Sequence, residues 1–240
     1  MSHLIASTPD RRVEPRERGV ALVVVMMIII AITGISLWTA RQSMLSEGIA
    51  RNESDQAAAW QAAEAALRDA ERDFISAFKD KADNASCSRG KVKLIPSDFT
   101  ANCLRGLCAK PDADYALMAW TDGPSVSETW WPEGKGGQWN DDKDAKPGRQ
   151  PVTATNCDTF VGGVPLGTFT GVVPVNGVSR QPEYLIEYFR RKNVRINQVE
   201  TQVSGQGERP NEWAEMYRIT ARGFGYSERT QVVLQTIFMP

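Results

Sequence analysis

From Val20 to Ala40 no residue carries a charge, and Arg18 and Arg41 bound the run on either side. A helix of roughly 20 apolar residues spans a bilayer, so this stretch is long enough to cross one. The run also opens something longer. No proline occurs between Pro15 and Pro96, and helical character persists to about Phe78. Such a helix would be about 90 Å long at about 1.5 Å per residue, and only its first third fits in lipid.

Four arginines, Arg11, Arg12, Arg16 and Arg18, precede the run. The positive-inside rule puts that end in the cytoplasm and everything after Arg41 outside, in the periplasm of a cell with two membranes. A cut by a secretory signal peptidase after Ala40 would place Trp38 at −3, where a small residue is needed, so the apolar segment is expected to be retained. A second junction lies between Gly19 and Val20, where a basic leader ending in glycine meets the helix.

Cysteine usage agrees with the exported side. Cys87, Cys103, Cys108 and Cys157 all follow the span, and an even count in an oxidising compartment points to two disulfides. The alternatives are free thiols or zinc, but gaps of 15, 4 and 48 residues make no paired C-x2-C knuckles. Sequence alone leaves three pairings open. The one histidine, His3, precedes the span. The exported part therefore offers no Ser/His/Asp or Cys/His catalysis, no His-ligated metal and no evident cofactor site. With 28 basic and 29 acidic residues the chain carries no electrostatic footprint for nucleic acid.

After the span, Trp60, Ala63, Leu67, Ala70, Phe74 and Phe78 recur at steps of three and four, drawing one apolar stripe expected to pack on the protein's own domain. Glu64 and Arg68 are spaced to pair on the opposite face. Lys79 to Asp114 reads as loops and turns tied by disulfides. Tyr115 to Trp120 is a strand or short helix, and Thr121 to Pro151 a long loop carrying Trp130, Trp131 and Trp139, expected to close over the core. Asp141 to Asp144 lacks the spacing of a calcium loop and reads as solvated.

The C-terminal third carries the strand signals. Tyr184 to Phe189 and Gln231 to Phe238 are rich in β-branched and aromatic residues. In Tyr217 to Gly223, apolar Tyr217, Ile219 and Ala221 alternate with Arg218, Thr220 and Arg222, a period of two with one wet face. Gly223, Gly225 and Ser227 supply a turn before the last strand. The expected fold is α+β, a long N-terminal helix, transmembrane then amphipathic, packed on a small C-terminal antiparallel sheet. The expected divisions are 1–19 leader, 20–40 transmembrane half, 41–80 amphipathic half and 81–240 exported head.

This architecture resembles the type IV pilins and pseudopilins, and the match is closest to the PilX-type minor pilins. Arg16-Glu17-Arg18-Gly19-Val20-Ala21-Leu22 resembles their leader junction, Gln61 to Glu71 their signature after the span, and Cys103-Leu104-Arg105-Gly106-Leu107-Cys108 their cysteine loop. Tyr217 to Gly225 followed by Val232 to Gln235 looks like their C-terminal hairpin. The resemblance implies that a prepilin peptidase cuts after Gly19, that the Val20 amine is N-methylated, and that Val20, Leu22, Val24, Ile28 and Ile32 serve first in the inner membrane and then in a fibre. It implies a non-enzymatic subunit that primes a pilus at its tip with other minor pilins, the major pilin and a tip adhesin. Two residues depart from the major-pilin pattern: Val20 stands where phenylalanine is usual after the cut, and Val24 where major pilins carry a glutamate five residues after it. The K-type minor pseudopilin of type II secretion also lacks this glutamate and is the close alternative, although it usually carries a larger inserted domain. A membrane-anchored periplasmic enzyme or sensor is the alternative of another class. No carboxylate or lysine constellation supports the first, and the short cytoplasmic segment argues against the second.

Overall fold

A computed structural model describes residues 18–76, 80–110, 128–132, 136–140, 152–192 and 213–238. Most of the leader, Phe78, Tyr115 to Trp120 and Asp141 to Asp144 lie outside the described residues. Two units, 1–52 and 53–240, are each compact in themselves.

Helix α1, Arg18–Ser76, is one uninterrupted helix of 59 residues, as the absence of proline and the alanine-rich stretch from Gln56 to Ala70 favour. In the first unit every described residue of α1 is exposed. In the second, its buried face is Ala59, Ala62, Ala63, Ala66, Asp69, Ala70 and Asp73. This corrects the expected stripe: Ala63 and Ala70 belong to it, Leu67 and Phe74 flank it, and Trp60 is 50% exposed. The reason is steric. Alanines let the helix approach the sheet closely, and a tryptophan on the contact line would hold the two apart.

A five-stranded mixed sheet completes the fold as α+β. The strands are β1 (Leu107–Ala109), β2 (Val164–Pro165), β3 (Glu183–Lys192), β4 (Trp213–Phe224) and β5 (Gln231–Phe238). β3, β4 and β5 are antiparallel neighbours, β2 adds antiparallel to β3, and β1 adds parallel to β3. Among the five described strands the β1–β3 pair is the parallel one. It needs no tight hairpin, because a long connection separates β1 from β3.

Period two sorts the side chains of β3 and β4. Tyr184, Ile186 and Tyr188 pair with Ala221, Ile219 and Tyr217 and, with Ala66, Ala70, Phe160, Phe169 and Leu107, form the core under α1. The opposite face pairs Glu183 with Arg222, Leu185 with Thr220 and Glu187 with Arg218. The sequence marks it as wet, yet Thr220 and Arg222 are buried. The Cys103–Cys108 loop covers it together with residues 128–132 and 136–140, whose Trp139 packs on Leu185 and the disulfide with Trp130 beside it. Trp139 thus closes over a core, while Trp130 and Trp131 remain half-buried.

Burial of that charged face is tolerable because each guanidinium meets a carboxylate across the strands. Arg222 Nε donates to Glu183 Oε1 at 3.1 Å, and Arg218 Nε to Glu187 Oε2 at 2.8 Å. The covering segment adds Glu128, which accepts from Arg218 at 2.6 Å and lies 3.1 Å from Lys110 Nζ. Arg222 also stacks on Trp139, 4.8 Å from the ring centroid.

Candidate functional site

The candidate site is the first part of α1, where the sequence places both its junction and its assembly residues. Gly19 and Val20 lie in the opening turn, and Val20, Leu22, Val24, Ile28 and Ile32 are all exposed. This is the one described helix long and apolar enough to cross a membrane. The three hydroxyl side chains between Val20 and Ala40 are satisfied internally. Thr33 donates to the carbonyls of Ile29 and Ile30, Ser36 to that of Ile32 and Thr39 to that of Ile35, at 2.8–2.9 Å. Such i−4 bonds leave no hydroxyl seeking water in an apolar medium. The first acidic side chain after Gly19 is Glu47, which pairs with Arg51 one turn on at 2.5 Å. Val24, 48% exposed, sits in a helix face with no carboxylate near it in sequence.

The second part of α1 holds the head through three carboxylates that hydrophobic periodicity does not reveal. Asp55 accepts from Thr230 Oγ1 at 2.5 Å and from the Ser227 N–H at 3.2 Å, fastening the β4–β5 turn. The Thr230 hydrogen bond is the main reason its carboxyl titrates below the usual 3.8. Asp69, buried, accepts from the Gly167 N–H at 2.7 Å and from Thr170 Oγ1. Burial pushes its carboxyl above 3.8 despite those bonds. Asp73, also buried, accepts from Arg89 and from Tyr184 Oη at 2.8 Å.

Burial works against the Arg89 charge, but Asp73 more than compensates and its guanidinium titrates above its ordinary value. Arg89 also lies 3.7 Å from the Phe169 centroid and donates to the Arg105 carbonyl at 2.8 Å. Burial first, then the Asp73 charge, raises the Tyr184 hydroxyl well above 10. An aspartate three or four residues from buried alanines is the only sequence sign of this set, and it is ambiguous with a solvated face.

The cysteines fall into two disulfides, Cys87–Cys157 and Cys103–Cys108, which selects one of the three pairings. The first ties the strand-poor segment after α1 to the loop at 153–160; the second closes a tight loop beneath Trp139. Glu64 and Arg68 pair at 3.5 Å as their spacing predicts. Among the described residues no group of three or more His, Cys, Asp or Glu side chains is placed to hold a metal.

Two family models match the chain. The model for the type IV pilus assembly protein PilX C-terminal region matches residues 97–240, and the PilX N-terminal model matches residues 18–68. No curated protein and no solved structure matches. The N-terminal match covers the junction, the apolar helix and most of the alanine-rich signature; the C-terminal match covers the Cys103–Cys108 loop, Cys157 and the whole sheet, while Cys87 lies before it. The chain therefore belongs to the PilX family and is a minor pilin of the type IV pilus, a structural component of the fibre.

Proposed function

We propose that this minor pilin primes assembly of the pilus and remains at or near its tip. Val24 is the observation that carries the reading. An ionised side chain costs about 2.5–3.5 kcal/mol at the bilayer centre on insertion scales and less at the depth of Val24, near the start of the apolar run; a pilin that carries one there recovers the cost by pairing with a neighbour's N-terminal amine. Val24 avoids the cost and offers no such partner. A subunit of this kind suits a position where pairing is not required of it, at the end of a fibre rather than along it.

The rest of the reading follows from the helix. Prepilin peptidase cuts after Gly19, leaving Val20 as the new terminus. The arginines before Gly19 hold that end in the cytoplasm, and the disulfide-bonded head lies in the periplasm. The exposed apolar residues first contact inner-membrane lipid; in the fibre they contact helices of the major pilin and of other minor pilins, so their apolar surface stays out of water throughout. The head faces the tip adhesin. Immunogold labelling of intact pili tests the position: gold at one end of each fibre supports the tip, and gold spaced along the shaft refutes it.

A further inference from the structure

We infer that Asn176 is a site of spontaneous covalent modification, where the side chain closes onto the Gly177 nitrogen and reopens as aspartate or isoaspartate. Neither step depends on the pilus role. Asparagine is thermolabile because its carboxamide carbon can form a five-membered ring with the next backbone nitrogen. Asn176 is the one asparagine in the chain that glycine follows, and glycine has no Cβ to hinder attack by that nitrogen.

The fold leaves both reacting groups free. Asn176 and Gly177 form an exposed turn between β2 and β3, with Gly177 at φ +82°. Even a Cβ placed there would have only Tyr226 Cε1 in contact, at 3.6 Å. Among the described residues neither the Gly177 N–H nor the Asn176 carboxamide makes a hydrogen bond. The other exposed, described asparagines differ. After Asn52 the Glu53 N–H is bound inside α1. After Asn84 the Ala85 N–H donates to the Ala82 carbonyl, and after Asn102 the Cys103 N–H donates to that of Thr100, each at 3.1 Å. Those three nitrogens must break a hydrogen bond before they attack; the Gly177 nitrogen need not.

The base of the loop is fixed while its tip is open. The Val175 N–H donates to Gln181 Oε1 at 2.9 Å and the Val175 carbonyl accepts from Gln181 Nε2 at 2.8 Å. The Ser179 N–H donates to the Gly225 carbonyl at 2.8 Å. Asn176 and Gly177 lie between these anchors, where local opening lets the Asn176 Cα–C bond rotate and carry the Gly177 nitrogen toward Cγ.

The chemistry needs only water. The Gly177 nitrogen bonds to Asn176 Cγ and gives up its proton; the Cγ–Nδ2 bond breaks, and the amide nitrogen leaves with that proton as ammonia. Water then opens the cyclic imide. Attack at Cγ yields aspartate, and attack at the former backbone carbonyl yields isoaspartate, whose main chain runs through the side-chain carbon. Either product adds a negative charge at the loop tip, and isoaspartate adds a main-chain atom outside the Gln181 clamp, so the head stays folded. Ammonia escapes, so the change accumulates with the age of the chain.

The test incubates the purified full-length chain, disulfides intact in detergent, for days at neutral pH and physiological temperature. Peptide mapping with electron-transfer fragmentation then separates asparagine, imide, aspartate and isoaspartate at each position, in samples whose melting temperature is unchanged. Asn176 is expected to convert at least about tenfold faster than Asn52, Asn84 or Asn102, with isoaspartate among the products and a rate that rises with pH. Asn176→Gln, which could close only a larger ring, should lose the isoaspartate signal. Conversion of Asn176 no faster than those three asparagines overturns the inference, as does conversion that begins only when denaturant unfolds the head. Aspartate without isoaspartate would show direct hydrolysis of the carboxamide and would overturn the cyclic route.

Discussion

Arg89 donates from Nε to both carboxylate oxygens of Asp73, at 2.9 and 3.1 Å, and both side chains are essentially sealed from solvent. Removing one member of a buried pair strands the other charge, at a cost of about 3–5 kcal/mol. Asp73→Asn should therefore lower the melting temperature of the head markedly, while a double change of Asp73→Asn with Arg89→Met should recover part of the loss. Thermal denaturation of the three chains checks this; equal melting temperatures would show that the pair holds nothing.

Gly223 on β4 meets α1 so closely that a Cβ there would overlap the Ala59 carbonyl oxygen and the Ala63 nitrogen and lie 2.8 Å from Ala63 Cα. Gly223→Ala should cost about 1–3 kcal/mol as an overpacked contact. Ala63→Gly alone should not relieve it, because the overlapped atoms are backbone. Denaturant midpoints with an unchanged m-value would measure the effect.

Asp55 and Asp69 predict opposite pH dependences. The Asp55 carboxyl titrates lower in the folded chain than unfolded, so its contribution is present above pH 3.8 and is lost as pH falls through the folded value. Asp69 titrates higher when folded, so the buried carboxylate costs stability above its raised value and the cost is relieved as pH falls through it. Asp55→Asn should flatten the acid loss of stability, and the stability of Asp69→Asn relative to wild type should rise with pH from 3.8 to a plateau. Denaturation midpoints across an acid-to-neutral pH series check both signs.

The disulfides should contribute unequally. Cys87 and Cys157 are 70 residues apart and Cys103 and Cys108 only 5. Loop-closure entropy gives about 4 kcal/mol for the first and about 2 kcal/mol for the second. Replacing Cys87 and Cys157 by alanine should therefore destabilise the head more than replacing Cys103 and Cys108, as denaturant titration of the two double variants would show.

Much of the fold is legible in the sequence because period and composition report it directly. The charge-free run from Val20 to Ala40 reads as part of a helix, and Gln231 to Phe238 is β5 residue for residue. What escapes is the meaning of small and charged residues. Alanine at 59, 62, 63 and 66 signals helix propensity in sequence and contact surface in three dimensions. Arg218 and Arg222 read as wet because alternation reports polarity; they are covered because the register sets Glu187 and Glu183 beside them and the covering segment adds Glu128. Trp60 misleads for the converse reason, a large apolar side chain on the wrong side of the contact line. The assembly helix is legible throughout, since its sequence already states that it needs an apolar environment.

The most direct test of the account is mass spectrometry of pili sheared from cells, washed and digested with trypsin. The account predicts head peptides of this chain at a low ratio to the major pilin, with the apolar helix recovered as a peptide that begins at Val20 and ends at Arg41. Recovery of that peptide beginning at Gly19, or absence of the chain from fibres of piliated cells that express it, would contradict the account.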